Sequence, residues 1–373
     1  MRPTYLEVNL QQLKQNIEAI RAHVGGAKVM PMVKANAYGH GIEGVAPFIE
    51  PYVDMLGVAL VEEAIQLRQL GIKKPILVAG GTLIEQLPLF LEYDLTLTAS
   101  SLDLLLAADQ LAESTRKRLT IHLKIDTGME RVGVHEYEVE EFILQASACR
   151  HLEVEGVYTH LANSELIELG GSGMSAHVVT AQEQLERFHS ALYFYEKHGL
   201  PVPPIRHVCN SGGILNLPEG HLDMVRPGVL FYGVYPGRDI PRILDVKPAL
   251  IWKSKVAYSK VSQPGRSVSY GSLWQVEGSA KRVVTIPCGY ADGYFRRMTN
   301  QGRVLINGKS YPQVGRICMD QFMVNTDADE IEVGDEVVLM GGGITPEELA
   351  DWAGTNEYEV MTNISARVPR VFK

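Results

Sequence analysis

Between Lys28 and Gly228 the chain alternates two rhythms, and this alternation restricts its fold more than any other feature. Short apolar runs recur at KVMPMV (28–33), MLGVAL (55–60), PILVAG (75–80), LTLTA (95–99), LTIHLKI (119–125), VEGVYTH (154–160), IRHVCN (205–210) and DMVRPG (223–228). They are nearly continuous in apolar residues, as expected of strands buried on both faces of a parallel sheet. Segments of helical period, such as VEEAIQLRQLG and TAQEQLERFHSALYFYEKHG, fall between most of them. Leu10, Leu13, Ile17, Ile20 and Val24 place a helix ahead of the first run. Eight strands, each followed by a helix, read as a (β/α)8 barrel of the TIM type. A doubly wound open sheet shares the alternation and competes with that reading.

Past Val234 the rhythm changes. WKSKVAYSKV, KRVVTIP, GRVLINGKSYPQVGRI, FMVNT and GDEVVLMG are strand-like, with turn signals at ING and GGG. One helix is expected in ITPEELADWAGT, with Thr345 as N-cap and a Glu at the third helical position. The expected division is a barrel over 1–238 and a mostly β domain over 239–373, with the first strand of the chain able to pair with the second domain.

A chain of 373 residues suits two such domains, and 46% hydrophobic with 21% charged residues is ordinary for a water-soluble protein. The net charge of −9 argues against nucleic acid or an anionic membrane surface as partner. No apolar run is long enough for a bilayer, and MRPTYLEVNLQQLKQ lacks the apolar core of a secretory signal. Cys149, Cys209, Cys288 and Cys318 are scattered, without metal-binding spacing. A cytoplasmic location is expected.

In a barrel the reactive groups sit where strands end. The first run ends at Lys34, the fifth carries Lys124 and leads into DTGMER with Arg131, and the sixth ends at His160. The seventh ends at Asn210-Ser211-Gly212-Gly213, and the eighth at Arg226 followed by Gly228-Val229. A lysine partly desolvated at a barrel mouth has a lowered pKa and can form a Schiff base with an aldehyde; the plain alternative is a lysine that snorkels to water. Glycine turns after the seventh and eighth strands are where barrels commonly bind phosphate. Lysine plus phosphate cradle points to pyridoxal 5′-phosphate.

VKANAYGHG, HLKIDTGMERVGV, GVYTHLANSE, HVCNSGGIL, MVRPGVLFYG, VSYG, IPCGYADG, VGRICMDQFMV and YEVMTNISARVPR occur in order across both domains. On these segments the sequence resembles the alanine racemases, pyridoxal-phosphate enzymes of fold type III. The resemblance implies that Lys34 carries the cofactor and that Tyr38, Ser211, Gly228, Val229 and Tyr358 hold its phosphate, with Asn210 beside them. It implies that Arg226 faces the pyridine nitrogen, with His207 behind it. Because a guanidinium donates only, its charge opposes protonation of that nitrogen, weakening the electron sink and favouring racemisation over transamination.

Racemisation needs an acid/base group on each face of the α-carbon. The resemblance supplies Lys34 on one face and, from the other subunit of a homodimer, Tyr270 on the opposite face. A phenol is a poor base near neutrality, and His160 is expected to hydrogen-bond Tyr270 and favour its anion. Arg131 is expected to meet the substrate carboxylate and the cofactor's phenolic oxygen, with Lys124 as a possible site of carbamylation that would pair with it. Tyr290, Met319 and Asp320 resemble residues that the partner adds to the site, Tyr290 narrowing its entrance. No metal is implied.

Two features depart from or lie outside that pattern. Glu130 stands where many relatives have a small residue, beside Arg131, and the segment 161–176 (LANSELIELGGSGMSA) is long and glycine-rich. Competing activities are a broad-specificity, serine or lysine racemase of the same fold, and an amino-acid decarboxylase. The decarboxylase would need a carboxylate at the ring nitrogen and a catalytic cysteine; Arg226 opposes it, while Cys318 is the one feature in its favour.

Overall fold

A computed structural model describes residues 2–165, 178–238 and 240–373. Two compact units emerge: Leu13–Ala37 with Ile42–Val246, and Met1–Gln12 with Tyr38–Gly41 and Lys247–Lys373. The chain begins with β1 (Tyr5–Val8) in the second of these. The first unit then holds β2 (Lys28–Val29), β3 (Leu56–Val58), β4 (Ile76–Val78), β5 (Thr96–Ala99), β6 (Leu119–Asp126), a two-residue β7 (Val134–His135), β8 (Leu152–Tyr158), β9 (Ile205–His207) and β10 (Met224–Val225).

These strands pair in parallel in the order β2-β10-β9-β8-β6-β5-β4-β3, with β7 alongside β6. The ends meet. Met32 forms a parallel bridge with Gly57, where the Val33 N–H donates to Gly57 O at 2.8 Å and the Gly57 N–H to Pro31 O at 3.1 Å. A doubly wound sheet keeps two open edges, so this closure settles the fold as a (β/α)8 barrel.

Regular strand geometry is shorter than the apolar runs at the first, seventh and eighth strands. Pairing nevertheless continues past it: Met30 N–H donates to Val225 O, Met32 N–H to Pro227 O and Arg226 N–H to Cys209 O. Lys34 is therefore not the last strand residue but the first of the turn that follows. Met30, Met55, Leu77, Tyr158, Ile205 and Met224 pack as a core cluster from six barrel strands. The helices behave as their periodicity predicts. Leu10–Val24 buries Leu13, Ile17, Ile20 and Val24, and Ala181–Lys197 starts at a capping box in which Thr180 and Glu183 exchange hydrogen bonds.

The second unit is a nine-stranded sheet. It comprises β1 and β11 (Leu250–Lys255), β12 (Tyr258–Ser262), β13 (Lys281–Ile286), β14 (Arg303–Ile306), β15 (Lys309–Val314), β16 (Phe322–Asn325), β17 (Glu336–Met340) and β18 (Arg370–Phe372), in the order β12-β13-β16-β15-β14-β17-β11-β1-β18. Asn307 and Gly308, both at positive φ (51° and 79°), make the two-residue turn between β14 and β15 that strand twist favours. Thr345 and Glu348 cap the helix Pro346–Ala353 as the sequence predicts. β1 runs antiparallel to β11 and parallel to β18. Among the described residues no helix is long and apolar enough to cross a membrane.

Candidate active site

Because every barrel strand points the same way, their C-terminal ends share one rim, and most of the expected site residues lie on it. Lys34 is half-buried there, and burial followed by the Arg131 charge pulls its pKa down, with Glu63 opposing. The residues after it do something unusual. Ala35, Asn36, Ala37 and Tyr38 all sit in the left-handed region, at φ of 52°, 55°, 53° and 50°. L-residues avoid this region at roughly 1–2 kcal/mol each. The turn is held by the Ala37 N–H to Val33 O (2.9 Å), the Ile42 N–H to Asn36 Oδ1 (2.8 Å) and the Ala35 N–H to Glu63 Oε1 (2.6 Å). The other Glu63 oxygen accepts from Ala59 and Leu60 at the start of its own helix. Sequence reasoning missed Glu63, which reads as an ordinary helix-capping glutamate.

Arg226 lies just past β10 and is 4% exposed. Its guanidinium donates to His207 Nδ1 (2.9 Å), Thr159 O (2.7 Å), Val208 O (2.9 Å) and, more weakly, His160 Nδ1 (3.4 Å). Among the described residues it has no carboxylate partner. Burial brings its pKa down to about 10, which still leaves it charged at neutral pH. Tyr158 lies beneath, with Arg226 5.2 Å and Lys124 Nζ 5.3 Å from its ring centroid. Lys124 is 4% exposed, its ammonium donates to Ile125 O (2.9 Å), and burial lowers its pKa to about 7. His160, partly buried at the rim, is held well below its ordinary pKa by burial and then by Arg226, Lys124, Arg131 and Lys34. Four basic side chains thus act on one imidazole, so the rim is suited to an anionic ligand.

The DTGMER loop is organised by Asp126. Its carboxylate accepts from the backbone N–H groups of Gly128, Met129, Glu130 and Arg131 at 2.9–3.2 Å. Burial alone would raise its pKa, but these donors hold it below the usual range. Glu130 takes φ 52° in this loop, a position glycine fills without strain, and its side chain turns to His135 (3.1 Å) rather than to Arg131.

Ser211 ties the last two barrel loops together. Its hydroxyl oxygen accepts from the N–H groups of Gly228 (2.9 Å) and Leu230 (3.3 Å), leaving its own proton to donate. Asn210 caps the short helix Ser211–Asn216 through Gly213 N–H and also accepts from Ser164 Oγ (2.7 Å). Gly228 and Val229 are buried beside them. Of the glycine-rich segment 161–176, residues 166–176 lie outside the described residues; Leu161 and Ser164 join this loop cluster through Asn210 and Asn216.

The second unit gathers the remaining residues. The Tyr38 and Tyr358 rings lie 6.2 Å apart, tilted by 49°. Tyr290 N–H donates to Cys318 O and Ala291 N–H to Met319 O, both at 3.0 Å, which sets Tyr290 beside Met319. Gly289 permits this approach, since a Cβ there would meet Met319 O at 2.3 Å. Ser269 Oγ donates to Arg316 O (2.7 Å), bringing Tyr270 next to the same segment. Tyr270 is 72% exposed, with Tyr290 at 41% and Met319 at 51%, a cluster of large side chains turned to solvent. Asp320 accepts from Arg367 at 2.7 Å. The backbone around Tyr270 is strained: Ser269 (φ 67°, ψ −174°) occupies a region that belongs almost to glycine alone.

Residues 8–236 match the family model described as alanine racemase, N-terminal domain, and residues 249–372 match alanine racemase, C-terminal domain. The alanine racemase of Carboxydothermus hydrogenoformans is 44% identical over 379 residues, covering all of both chains. Alanine racemase 2 of Caldanaerobacter subterraneus is 41% identical, covering all of this chain and 95% of that one. The solved alanine racemase of Clostridium difficile 630 superposes with a TM-score of 0.92 at 35% identity, over 100% of this chain and 96% of the other. Matched in both domains and along its whole length, the chain belongs to the alanine racemase family.

Proposed function

We propose that the protein interconverts L- and D-alanine with pyridoxal 5′-phosphate, as a cytoplasmic homodimer in which Lys34 of one subunit and Tyr270 of the other work on opposite faces of the substrate. One observation carries the reading: an amine of lowered pKa shares a rim with Arg226, Arg131 and Lys124, and the buried Arg226 has no carboxylate partner among the described residues. That donor set fits the cofactor. Lys34 would supply the amine for its aldehyde, Ser211 with the turn at Gly228-Val229 would supply hydroxyl and backbone groups for its phosphate, and Arg226 would face its ring nitrogen; Tyr38 and Tyr358 are the further phosphate donors that the family resemblance implies. When bound, the cofactor supplies the electron withdrawal that acidifies the substrate α-carbon.

The chain's own residues do the rest. Lys34 takes or returns the α-proton on its face, its lowered pKa bringing it nearer to working pH. Arg226, a donor that stays charged, would oppose protonation of the ring nitrogen and so restrain side reactions. Arg131, on a loop fixed by Asp126, offers a planar fork to the substrate carboxylate. Lys124 near pH 7 is part neutral, the form that reacts with CO2. The exposed cluster of Tyr270, Tyr290 and Met319, with Asp320 beside it, is suited to completing the rim of a second copy. His160, kept neutral, is the hydrogen-bonding partner for that tyrosine.

The test is chiral chromatography of L-alanine incubated with the cofactor-loaded protein, with L-serine and L-lysine alongside. Alanine reaching equal enantiomers while the others lag supports the assignment. Tyr270→Phe should abolish exchange from one enantiomer's face; a variant that still racemises at full rate removes the second base.

A further inference from the structure

Behind Arg226 runs a row of hydrogen bonds that leads away from the rim. Arg226 Nη1 and His207 Nδ1 are 2.9 Å apart, His207 Nε2 and His122 Nδ1 2.8 Å, and His122 Nε2 and Glu155 Oε2 3.1 Å. The two ends dictate every bond between them. A guanidinium only donates, so His207 Nδ1 accepts and its proton sits on Nε2. His207 therefore donates to His122 Nδ1, and the His122 proton sits on Nε2. That proton is donated to Glu155, which as a carboxylate only accepts. Both imidazoles are fully buried and burial favours their neutral forms, which this pattern requires.

Two backbone features permit the row. β6 and β8 pair as Ile121↔Val154 and then His122↔Gly156, so Glu155 is the extra residue of a bulge, uncommon in parallel pairs. The bulge lets the Glu155 side chain turn to His122 from within β8. Opposite His122 stands Gly156, where a Cβ would lie 2.6 Å from Nδ1 and 2.8 Å from Cγ of that ring. Only glycine leaves the imidazole its place.

We propose that His122 and Glu155 are positioning residues for the reaction: they lock His207 in the tautomer that accepts from Arg226, and so fix where the guanidinium points its remaining N–H groups. A carboxylate at the far end also balances the buried cation without touching the ring nitrogen. The inference rests on the reading of Arg226 as the ring-nitrogen partner only for its catalytic consequence; the tautomers stand by themselves.

The test uses the full-length protein labelled with 15N-histidine. Long-range 15N–1H spectra of the cofactor-free form should show His207 protonated on Nε2 alone. His122→Leu leaves the buried Nε2–H without an acceptor, so only Arg226 still favours that tautomer and His207 should shift to a mixture with the Nδ1–H form, which gives up the Arg226 bond. His122→Asn keeps an oxygen where Nδ1 was and should restore Nε2–H. If His122→Leu does not fold, Glu155→Leu against Glu155→Gln makes the same comparison from the half-exposed end. In cofactor-loaded protein the leucine variants should lose about tenfold in kcat, as for one buried hydrogen bond, with KM little changed and the bound cofactor's absorbance altered. The Asn and Gln variants should recover. A His207 tautomer unchanged by both leucine variants overturns the proposal. If the tautomers shift as expected but kcat and absorbance do not, Arg226 is not positioned through this row, and the catalytic part fails. Wild-type protein that shows the tautomers yet binds no pyridoxal phosphate refutes the functional reading instead.

Discussion

The left-handed turn after Lys34 makes a quantitative claim. Ala35 is exposed and sits at φ 52°. Replacing it by glycine removes a left-handed penalty of roughly 1–2 kcal/mol and adds back about 0.4–1 kcal/mol of unfolded-state entropy. No buried contact is lost, and the backbone N–H to Glu63 stays. Ala35→Gly should therefore stabilise the protein by about 0.5–1 kcal/mol. Ala37 has nearly the same φ, 53°, but is fully buried. There the lost methyl group costs about 0.8 kcal/mol more, so Ala37→Gly should be close to neutral. Ala35→Val, with a branched carbon in the same conformation, should destabilise clearly. The assay is urea unfolding of the cofactor-free protein, comparing midpoints at constant m-value. The turn begins at Lys34, the proposed catalytic amine, so Ala35→Gly, by loosening it, should lower racemase activity while raising the midpoint. A lower midpoint for Ala35→Gly would refute the idea that the turn stores strain.

The other predictions concern titration and packing. Lys124 has a folded pKa of about 7 against about 10.4 when unfolded; between these values the unfolded chain holds a proton that the folded chain lacks, so stability rises with pH, by up to about 1.4 kcal/mol per unit. Lys124→Met should flatten that slope in urea unfolding of the cofactor-free protein from roughly pH 7 to 10 and raise stability at neutral pH; an unchanged slope would rule Lys124 out as its source. His135 has a raised pKa, chiefly through its bond to Glu130, so Glu130→Gly should lower it toward the ordinary value in an NMR titration, while Arg131 keeps its backbone bond to Asp126. Gly156→Ala should destabilise by about 1–3 kcal/mol through overpacking against His122, and a crystal structure with His122 unmoved would contradict this.

Much of the barrel was legible because each strand announces itself by apolar continuity and each helix by period and cap. The Asn307-Gly308 turn and the Thr345/Glu348 box were readable because their chemistry is local. β18 and the helix Glu357–Thr362 were not, since the C-terminal YEVMTNISARVPRVFK has no clean period and takes its structure from β1 and neighbouring loops. Closure of the barrel was equally hidden: it depends on Met32 meeting Gly57, a contact between residues that no spacing rule connects.

The site divides along the same line. Lys34, Arg131, His160, Asn210 and Arg226 could be found because strand ends in a barrel are privileged positions. Nothing local in the sequence singles out His122 or Glu155, because what joins them is a shift of register and one missing Cβ. Only Asn36 in that turn carries a left-handed signal; Ala35 and Ala37 do not, since alanine has no preference for the conformation it is forced into there. His122 and Glu155 share one task. Burying Arg226 without a carboxylate beside it costs solvation that must be offset elsewhere, and on the proposed reading a carboxylate in contact would also neutralise the charge offered to the cofactor's ring nitrogen. Two neutral imidazoles in series meet both demands: they satisfy the guanidinium's donor at 2.9 Å and keep Glu155 two rings away from it. A chain read only for its charged strand ends sees the cation and not the means by which it is kept alone.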